Sequence, residues 1–287
     1  MAIIGHPDAP RSPEEVPGYV KKLKEMDLPR TSRIRACVDD EVKDPALAEK
    51  LKGWYPTWCK RPFFHDDYLA AFNQDNVTLI DTSGKGLDHL RLAPDAIVVG
   101  NESYPVDVVV FATGFRTFFG QTPAGTGNVE ILGRGGVSMS EEWERSGPST
   151  LHGILDSKFP NLFLTALPQA GISGSGTYNL DQSAKHAAYI ASETLRRAKG
   201  RPVSVATSAE AAEEWAEQVI LRAPALGAML GCTPGYYNAE GGIDRISPER
   251  QLVAARSGTW GSGFEDYLSI IEAWREEGGM RGMEVQT

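Results

Sequence analysis

The chain of 287 residues lacks the features that most quickly assign a function. No apolar stretch approaches the ~20 residues that a membrane helix needs, so no membrane partner is expected. Against 38 Asp and Glu there are only 29 Lys and Arg, a net charge of −9, with no long basic run. That balance gives nucleic acid no footing. The opening MAIIGHPDAPRSPEE has neither a basic n-region nor an apolar h-region, so it does not read as a signal peptide. The three cysteines, Cys37, Cys59 and Cys232, are far apart and show no CxxC spacing. Their odd number and wide separation favour reduced thiols in a cytoplasmic setting over a disulfide frame or a zinc site. His65, His89, His152 and His186 are too dispersed to read as a ligand set, and no metal is expected. There is no internal repeat and no low-complexity tract.

What is present is ordinary in bulk. Hydrophobic residues make up 41% and charged residues 23%, as in a globular protein with ample core. The length suits one large domain or two small ones. The most informative stretch is Tyr104–Thr117, YPVDVVVFATGFRT. Val106–Phe111 is short, apolar and β-branched, which predicts a buried strand of a parallel sheet. It ends in Ala112-Thr113-Gly114, small residues at the carboxyl end of the strand, where ligands of open α/β sheets bind. By itself the stretch reads equally as a core strand followed by a glycine turn.

Along the chain, Ser12-Pro13-Glu14-Glu15 predicts a helix start with a capping box, followed by Val16, Tyr19, Val20 and Leu23 on one face. A second helix is expected at Asp44-Pro45, a short one over Asp66–Phe72, a strand over Val77–Ile80, and a hairpin of Leu87–Leu92 with Ala96–Val99 around Pro94-Asp95. Gly133-Arg-Gly-Gly-Val-Ser138 fits a GxGxxS dinucleotide fingerprint only superficially. The following Met139–Gly147 is too short and polar to be its crossover helix, so a surface loop or hairpin is expected. Asn161–Leu167 reads as another buried strand and Asn179–Ala198 as a long helix. A helix capped at Thr207-Ser-Ala-Glu210 should end before Pro224. A last one, Gly263–Glu277, buries Phe264, Tyr267, Leu268, Ile271 and Trp274.

Five motifs in order carry a resemblance: Trp58-Cys-Lys-Arg-Pro62, D-x-V-V-x-A-T-G-F in the stretch above, Phe159-Pro-Asn-Leu-Phe163, Gly231-Cys-Thr-Pro-Gly-Tyr-Tyr-Asn238 and Ile271-Glu-Ala-Trp-Arg275. Together they resemble the carboxyl-terminal half of a Baeyer–Villiger monooxygenase, in the flavin-containing monooxygenase superfamily and in its subgroup acting on large or cyclic ketones. The resemblance implies an α/β fold, an incomplete flavoprotein with two dinucleotide-binding domains and accessory helices. It would comprise a helical segment at 1–52, the remnant of an NADPH domain at 53–103 and the carboxyl-terminal part of an FAD domain at 104–287. The two GxGxxG-type fingerprints of the family, and its signature between them, are not found in these residues.

The same resemblance implies roles. Arg61 would be the catalytic arginine that keeps an oxygen nucleophile anionic, and Lys60 its neighbour contacting NADPH. Pro62 holds Arg61 extended. Ala112, Thr113, Gly114, Gly171, Gly174 and Gly176 would face FAD, the last three at a helix amino terminus whose dipole favours negative charge on the reduced ring; Asp107 would either approach the ribityl region of FAD or cap backbone donors. Ile172, Ser173, Tyr236, Tyr237 and Asn238 would line a ketone pocket, although relatives carry bulkier residues than Ile-Ser-Gly-Ser-Gly. Without the resemblance, Lys60-Arg61 reads as a solvated basic pair and Tyr236-Tyr237 as packed aromatics beside a Pro-Gly turn. The implied activity is FAD- and NADPH-dependent oxygen insertion beside a ketone carbonyl, giving an ester or lactone. A homodimer or a separate amino-terminal half is the expected partner. The alternative is a remodelled, non-redox protein that uses the old crevice for isomerisation, cyclisation or binding.

Overall fold

The computed structural model describes residues 4–82, 89–114, 122–165 and 168–287. The chain divides into two compact units: one of Met1–Met26 with Thr117–Thr287, the other of Asp27–Arg116. The expected residues Leu87, Asp88, Phe115–Thr117 and Leu167 lie outside the described set.

The smaller unit begins within helix α1, Val16–Glu41, which follows a short turn of 3-10 helix at Pro13–Glu15. The helix starts where Ser12-Pro13 predicts, but Ser12 makes no capping bond and the Glu15 carboxylate instead accepts from the Arg11 N–H at 2.8 Å. Tyr19 and Leu23 are buried, as their spacing implies. Helix α2, Pro45–Leu51, is capped by Asp44, whose carboxylate accepts from the Ala46 and Leu47 N–H groups. Pro45 costs nothing there, because a first-turn N–H has no intrahelical partner. Helix α3 is a single turn, Tyr68–Ala71. Strands β1 (Leu90–Leu92), β2 (Ala96–Val99) and β3 (Glu102–Pro105) form an antiparallel meander, with Leu90 opposite Val99 and Ala96 opposite Pro105. The hairpin around Pro94-Asp95 is the expected one.

Two strand expectations fail in this unit. Val77–Ile80 is irregular. So is Val106–Phe111: its last ladder-like bond is Val106 N–H to Asp95 O at 3.1 Å, after which the backbone leaves the sheet. Val108 is 76% exposed, Val110 82% and Phe111 65%. β-branched composition marks a segment that fits a sheet, but a strand exists only where a neighbour supplies the other half of each hydrogen bond. Among the described residues no segment does so here.

The larger unit is helical with small strand pairs. Helix α4 spans Pro123–Gly127 and α5 spans Met139–Ser146. Between them a bridge from Leu132 to Ser138 closes the Gly133–Ser138 turn as a hairpin, with Gly135 and Gly136 at positive φ. The apparent fingerprint is therefore a tight loop. Strands β4 (Thr150–Leu151) and β5 (Leu155–Asp156) pair, and the expected strand after Asn161 is reduced to one bridge, Leu155 to Phe163. Helix α6, Gly176–Ala198, starts three residues earlier than its periodicity implies because Ser175 caps it, accepting from Tyr178 N–H. Strand β6 (Ser204–Thr207) pairs with β7 (Met283–Gln286), and Ser208 rather than Thr207 caps helix α7, Ala209–Arg222. Helices α8 (Pro248–Arg256) and α9 (Phe264–Glu277) complete the unit.

Helix α9 buries all five residues that its pattern singles out. Phe264, Tyr267, Leu268 and Ile271 pack with Leu151, Ala170, Trp215, Val219 and Trp260 in one cluster, and Trp274 packs with Ile154, Leu155, Ile190 and Val205 in the next. Trp215 and Trp260 stack at 4.3 Å and 9°, and the Trp260 N–H donates to Asp266 Oδ2 at 2.6 Å. Large rings with a satisfied polar edge contribute the most apolar burial per residue. Cys37 is exposed and free, as expected of a reduced thiol, but the expectation fails at Cys59 and Cys232, which are disulfide-bonded. Among the described residues no helix is long and apolar enough to cross a membrane.

Candidate functional site

The expected site residues fall on four local structures, two in each unit. In the smaller unit, Lys60 and Arg61 follow a 3-10 turn at Thr57–Cys59. The turn hangs on α1. The Asp27 carboxylate accepts from the Thr57 N–H at 3.0 Å and from its hydroxyl, and Arg35 donates to Gly53 O at 3.0 Å while its guanidinium lies 4.2 Å from the Trp54 ring centre. Two tethers about two turns apart on one helix give the loop a defined base. Arg61 is exposed and Lys60 half-buried, its ammonium 5.8 Å from the Tyr55 ring centre. Phe63 and Phe64 beside them are 89% and 93% exposed.

Asp107, Ala112, Thr113 and Gly114 lie on the irregular segment after β3, all exposed. Gly114 has φ +89°, and no atom lies within 4 Å of where a Cβ would sit. The segment therefore offers a bare, small-residue backbone with unpaired apolar residues leading into it.

In the larger unit the loop before α6 separates into two kinds of glycine. A Cβ on Gly171 would lie 2.6 Å from the Tyr267 ring, so this glycine makes room for a core side chain behind the loop. At Gly174 and Gly176 nothing lies within 4 Å. These two face open space at the amino terminus of a 23-residue helix, where unsatisfied N–H groups and the dipole favour negative charge. The loop is internally tied: Ser173 Oγ meets Asn179 Oδ1 at 2.6 Å, Ser173 N–H donates to the same oxygen at 3.1 Å, and Asn179 Nδ2 donates to Ser173 O. Ser173 is thus held as a structural hydroxyl. Ile172 is half-buried beside it.

Tyr236, Tyr237 and Asn238 form one turn of 3-10 helix. The two tyrosine rings touch, with centroids 4.4 Å apart, and both are half-buried. Asn238 is 1% exposed.

A further cluster escaped sequence reading. His152, in the β4–β5 turn at φ +57°, and His186, on α6, meet through Nδ1 and Nε2 at 3.1 Å. Trp215 and Trp274 pack edge-on against His152, and the Tyr267 hydroxyl donates to His152 O at 2.8 Å. Burial drives both imidazoles toward the neutral form, His152 well below the ordinary value and His186 to about 3, with each other's charge and those of Arg281 and Arg275 adding to His152 and that of Arg275 to His186. Tyr267 therefore ties the Gly171 loop to this pair. The pair is 34 residues apart in sequence, and no local pattern announces it. Among the described residues no group of three or more His, Cys, Asp or Glu is placed to hold a metal ion.

No protein-family model matches the chain. Curated relatives do. A polycyclic ketone monooxygenase of Thermothelomyces thermophilus is 38% identical over 293 residues, which is 100% of this chain and 44% of the relative. The chermesin D/asnovolin J monooxidase of Aspergillus novofumigatus is 42% identical over 276 residues, 93% of this chain and 41% of the relative. The solved structure of the polycyclic ketone monooxygenase from Thermothelomyces thermophila superposes with a TM-score of 0.90 at 37% identity, covering 99% of this chain and 43% of that one. A steroid monooxygenase bound to NADP shares the fold at TM-score 0.66 and 24% identity. The chain spans less than half the length of these relatives. It belongs to the Baeyer–Villiger monooxygenase family of FAD-binding monooxygenases, as a partial sequence with an incomplete α/β flavoprotein fold.

Proposed function

We propose that the chain is the carboxyl-terminal part of an FAD- and NADPH-dependent oxygenase that inserts oxygen beside a ketone carbonyl, giving an ester or lactone. The observation that carries this reading is the likeness over the whole chain to a polycyclic ketone monooxygenase, in sequence and in structure. On it, residues 53–103 belong with an NADPH domain, 104–287 with an FAD domain, and 1–52 with an accessory helical segment.

Two local structures, one in each unit, each suit a flavin by themselves. Gly174 and Gly176 leave open space at a helix amino terminus, and Ala112–Gly114 offer small, exposed backbone. No glycine fingerprint is here to grip a pyrophosphate. When bound, the flavin supplies electron transfer from NADPH and activation of oxygen. The protein's part is then electrostatic and steric. Arg61 holds negative charge on oxygen as it develops, Lys60 steers the nicotinamide nucleotide, and Tyr236 and Tyr237 face the ketone with Ile172. Such fixed charge stabilises a transition state strongly because it needs no reorganisation.

Remote contacts to the pyrophosphate are absent, so FAD affinity should be on the order of micromolar or weaker for this chain alone. An amino-terminal part from a full-length relative should raise it at least about tenfold, or about 1.4 kcal/mol. It would also cover Val108–Phe111; a homodimer is the other assembly that could do so. A flavin-fluorescence titration with and without that part tests the reading. No binding in either case would favour the non-redox alternative. In the reconstituted enzyme, Arg61→Ala should cut ester formation by roughly 100-fold or more at unchanged melting temperature; turnover within threefold of the parent would remove Arg61 from the catalytic role.

A further inference from the structure

Asn238 directly follows two tyrosines expected to face substrate, yet its own amide has nothing left to offer a ligand. Its Oδ1 accepts from Gly235 N–H at 2.9 Å and from Gly241 N–H at 3.0 Å. Its Nδ2 donates to Cys232 O at 2.9 Å and to Thr233 O at 3.3 Å. A carboxamide has two donor hydrogens and two acceptor lone pairs, and all four are engaged. The side chain is 1% exposed.

Those four bonds bind both ends of the loop to one point. Residues 232 and 233 enter the turn and residue 241 leaves it. Between them the backbone is costly: Ala239 and Glu240 both lie at positive φ, 50° and 53°, followed by Gly241 at 76°. Two consecutive non-glycine residues in that region persist only where surrounding bonds over-determine them. Two backbone bonds help, Glu240 N–H to Gly235 O at 2.9 Å and Gly242 N–H to Ala239 O at 2.9 Å. The Asp244 carboxylate anchors the entry, accepting from Gly231 N–H at 2.9 Å. Asn238 is the side chain at the centre of this set, and Tyr236 and Tyr237 sit on the arc it closes.

We propose that Asn238 is a positioning residue: it locks the Cys232–Gly241 turn so that Tyr236 and Tyr237 present one fixed surface to the ketone, and it touches neither substrate nor cofactor. The assignment of the tyrosines to the ketone rests on the oxygenase reading above; the locking does not. An Asp at this position is not equivalent. It would keep the two accepted bonds and place a carboxylate oxygen against the Cys232 and Thr233 carbonyls, releasing only the entry of the turn.

The test has two arms. In the first, amide hydrogen exchange is followed on the purified chain. Asn238→Ala should speed exchange across residues 235–242 at least about tenfold while leaving α9 protected. Asn238→Asp should speed Gly242 and Glu240 less, and it serves if the alanine variant does not fold. In the second arm, the chain is reconstituted with an amino-terminal part and assayed on a bulky ketone. Asn238→Ala should raise KM for the ketone with little change in kcat. On a Tyr236→Ala/Tyr237→Ala background it should add nothing further, since residues acting as one unit are non-additive. Unchanged exchange in both variants would overturn the proposal. So would faster exchange with no effect on KM, or with an effect fully additive to that of the tyrosines. If the parent assembly oxidises no ketone, the oxygenase reading fails, and the exchange arm still decides whether Asn238 locks the turn.

Discussion

The two units bury their apolar residues to very different degrees. In the larger one Trp260 is 1% exposed, Ile271 0% and Ile190 0%, and rings, helices and short strands close around them. In the smaller one Phe63, Phe64, Val108, Val110 and Phe111 are between 65% and 93% exposed. Both units draw on similar residues. The larger unit contains both sides of its own core. In the smaller one these five side chains stand open to solvent. Exposed apolar residues that adjoin one another in the chain, as Phe63-Phe64 and Val108–Phe111 do, mark an interaction surface.

Three measurements would break or sharpen that contrast. The largest effect is expected from core truncation. Trp260→Ala removes a stacked, hydrogen-bonded ring and should cost about 3–5 kcal/mol in denaturant unfolding. Phe63→Ala should stay within about 0.5 kcal/mol. Equal losses would mean that Phe63 is packed in solution and that the contrast is false.

Acid should act on the buried histidine pair of the larger unit. His152 and His186 are held below their ordinary value of 6.5, so the unfolded chain takes up their protons first. The stability they contribute is intact above pH 6.5 and is lost as pH falls below it, toward about 3 for His186. The slope should approach about 1.4 kcal/mol per pH unit for each imidazole once the pH is about a unit below 6.5. Melting temperatures of the parent and of His186→Phe across pH 7 to 5, bounds chosen to straddle that value, check this. The variant's curve should be flatter; parallel curves would show that the pair does not link burial to protonation.

The smallest effect on stability, within about 0.5 kcal/mol, is expected from Val110→Asp. If Val108–Phe111 is a contact surface, however, the substitution should weaken association, seen by light scattering as a shift toward monomer, and should lessen the gain in FAD affinity from an amino-terminal part. A destabilised monomer instead would mean that the segment already packs within its own unit.

The helices were legible because their signals are local. Asp44-Pro45 places a cap and a first-turn proline in adjacent positions, and Phe264, Tyr267, Leu268, Ile271 and Trp274 recur on one face. The strands were legible only where a turn marks them, as in the hairpin around Pro94-Asp95. Val77–Ile80 and Val106–Phe111 have the composition of strands and no ladder, whereas Ser204–Thr207 and Met283–Gln286 pair across most of the unit without a strong pattern. The motif residues at Lys60-Arg61 and Gly171–Gly176 could be named from the resemblance. Their division into backing and facing roles could not, because Gly171 is set apart from Gly174 and Gly176 only by the ring of Tyr267, nearly 100 residues on.

Sequence by itself therefore determined the lineage, most of the helices and the order of the motifs, all of which are written in short-range chemistry. Tertiary structure decided three things. Val106–Phe111 stands open because a strand needs a second strand. His152 and His186 share a buried hydrogen bond because β4–β5 and α6 converge. Asn238 spends its amide on the backbone because a turn with three left-handed residues needs a side chain to hold it closed.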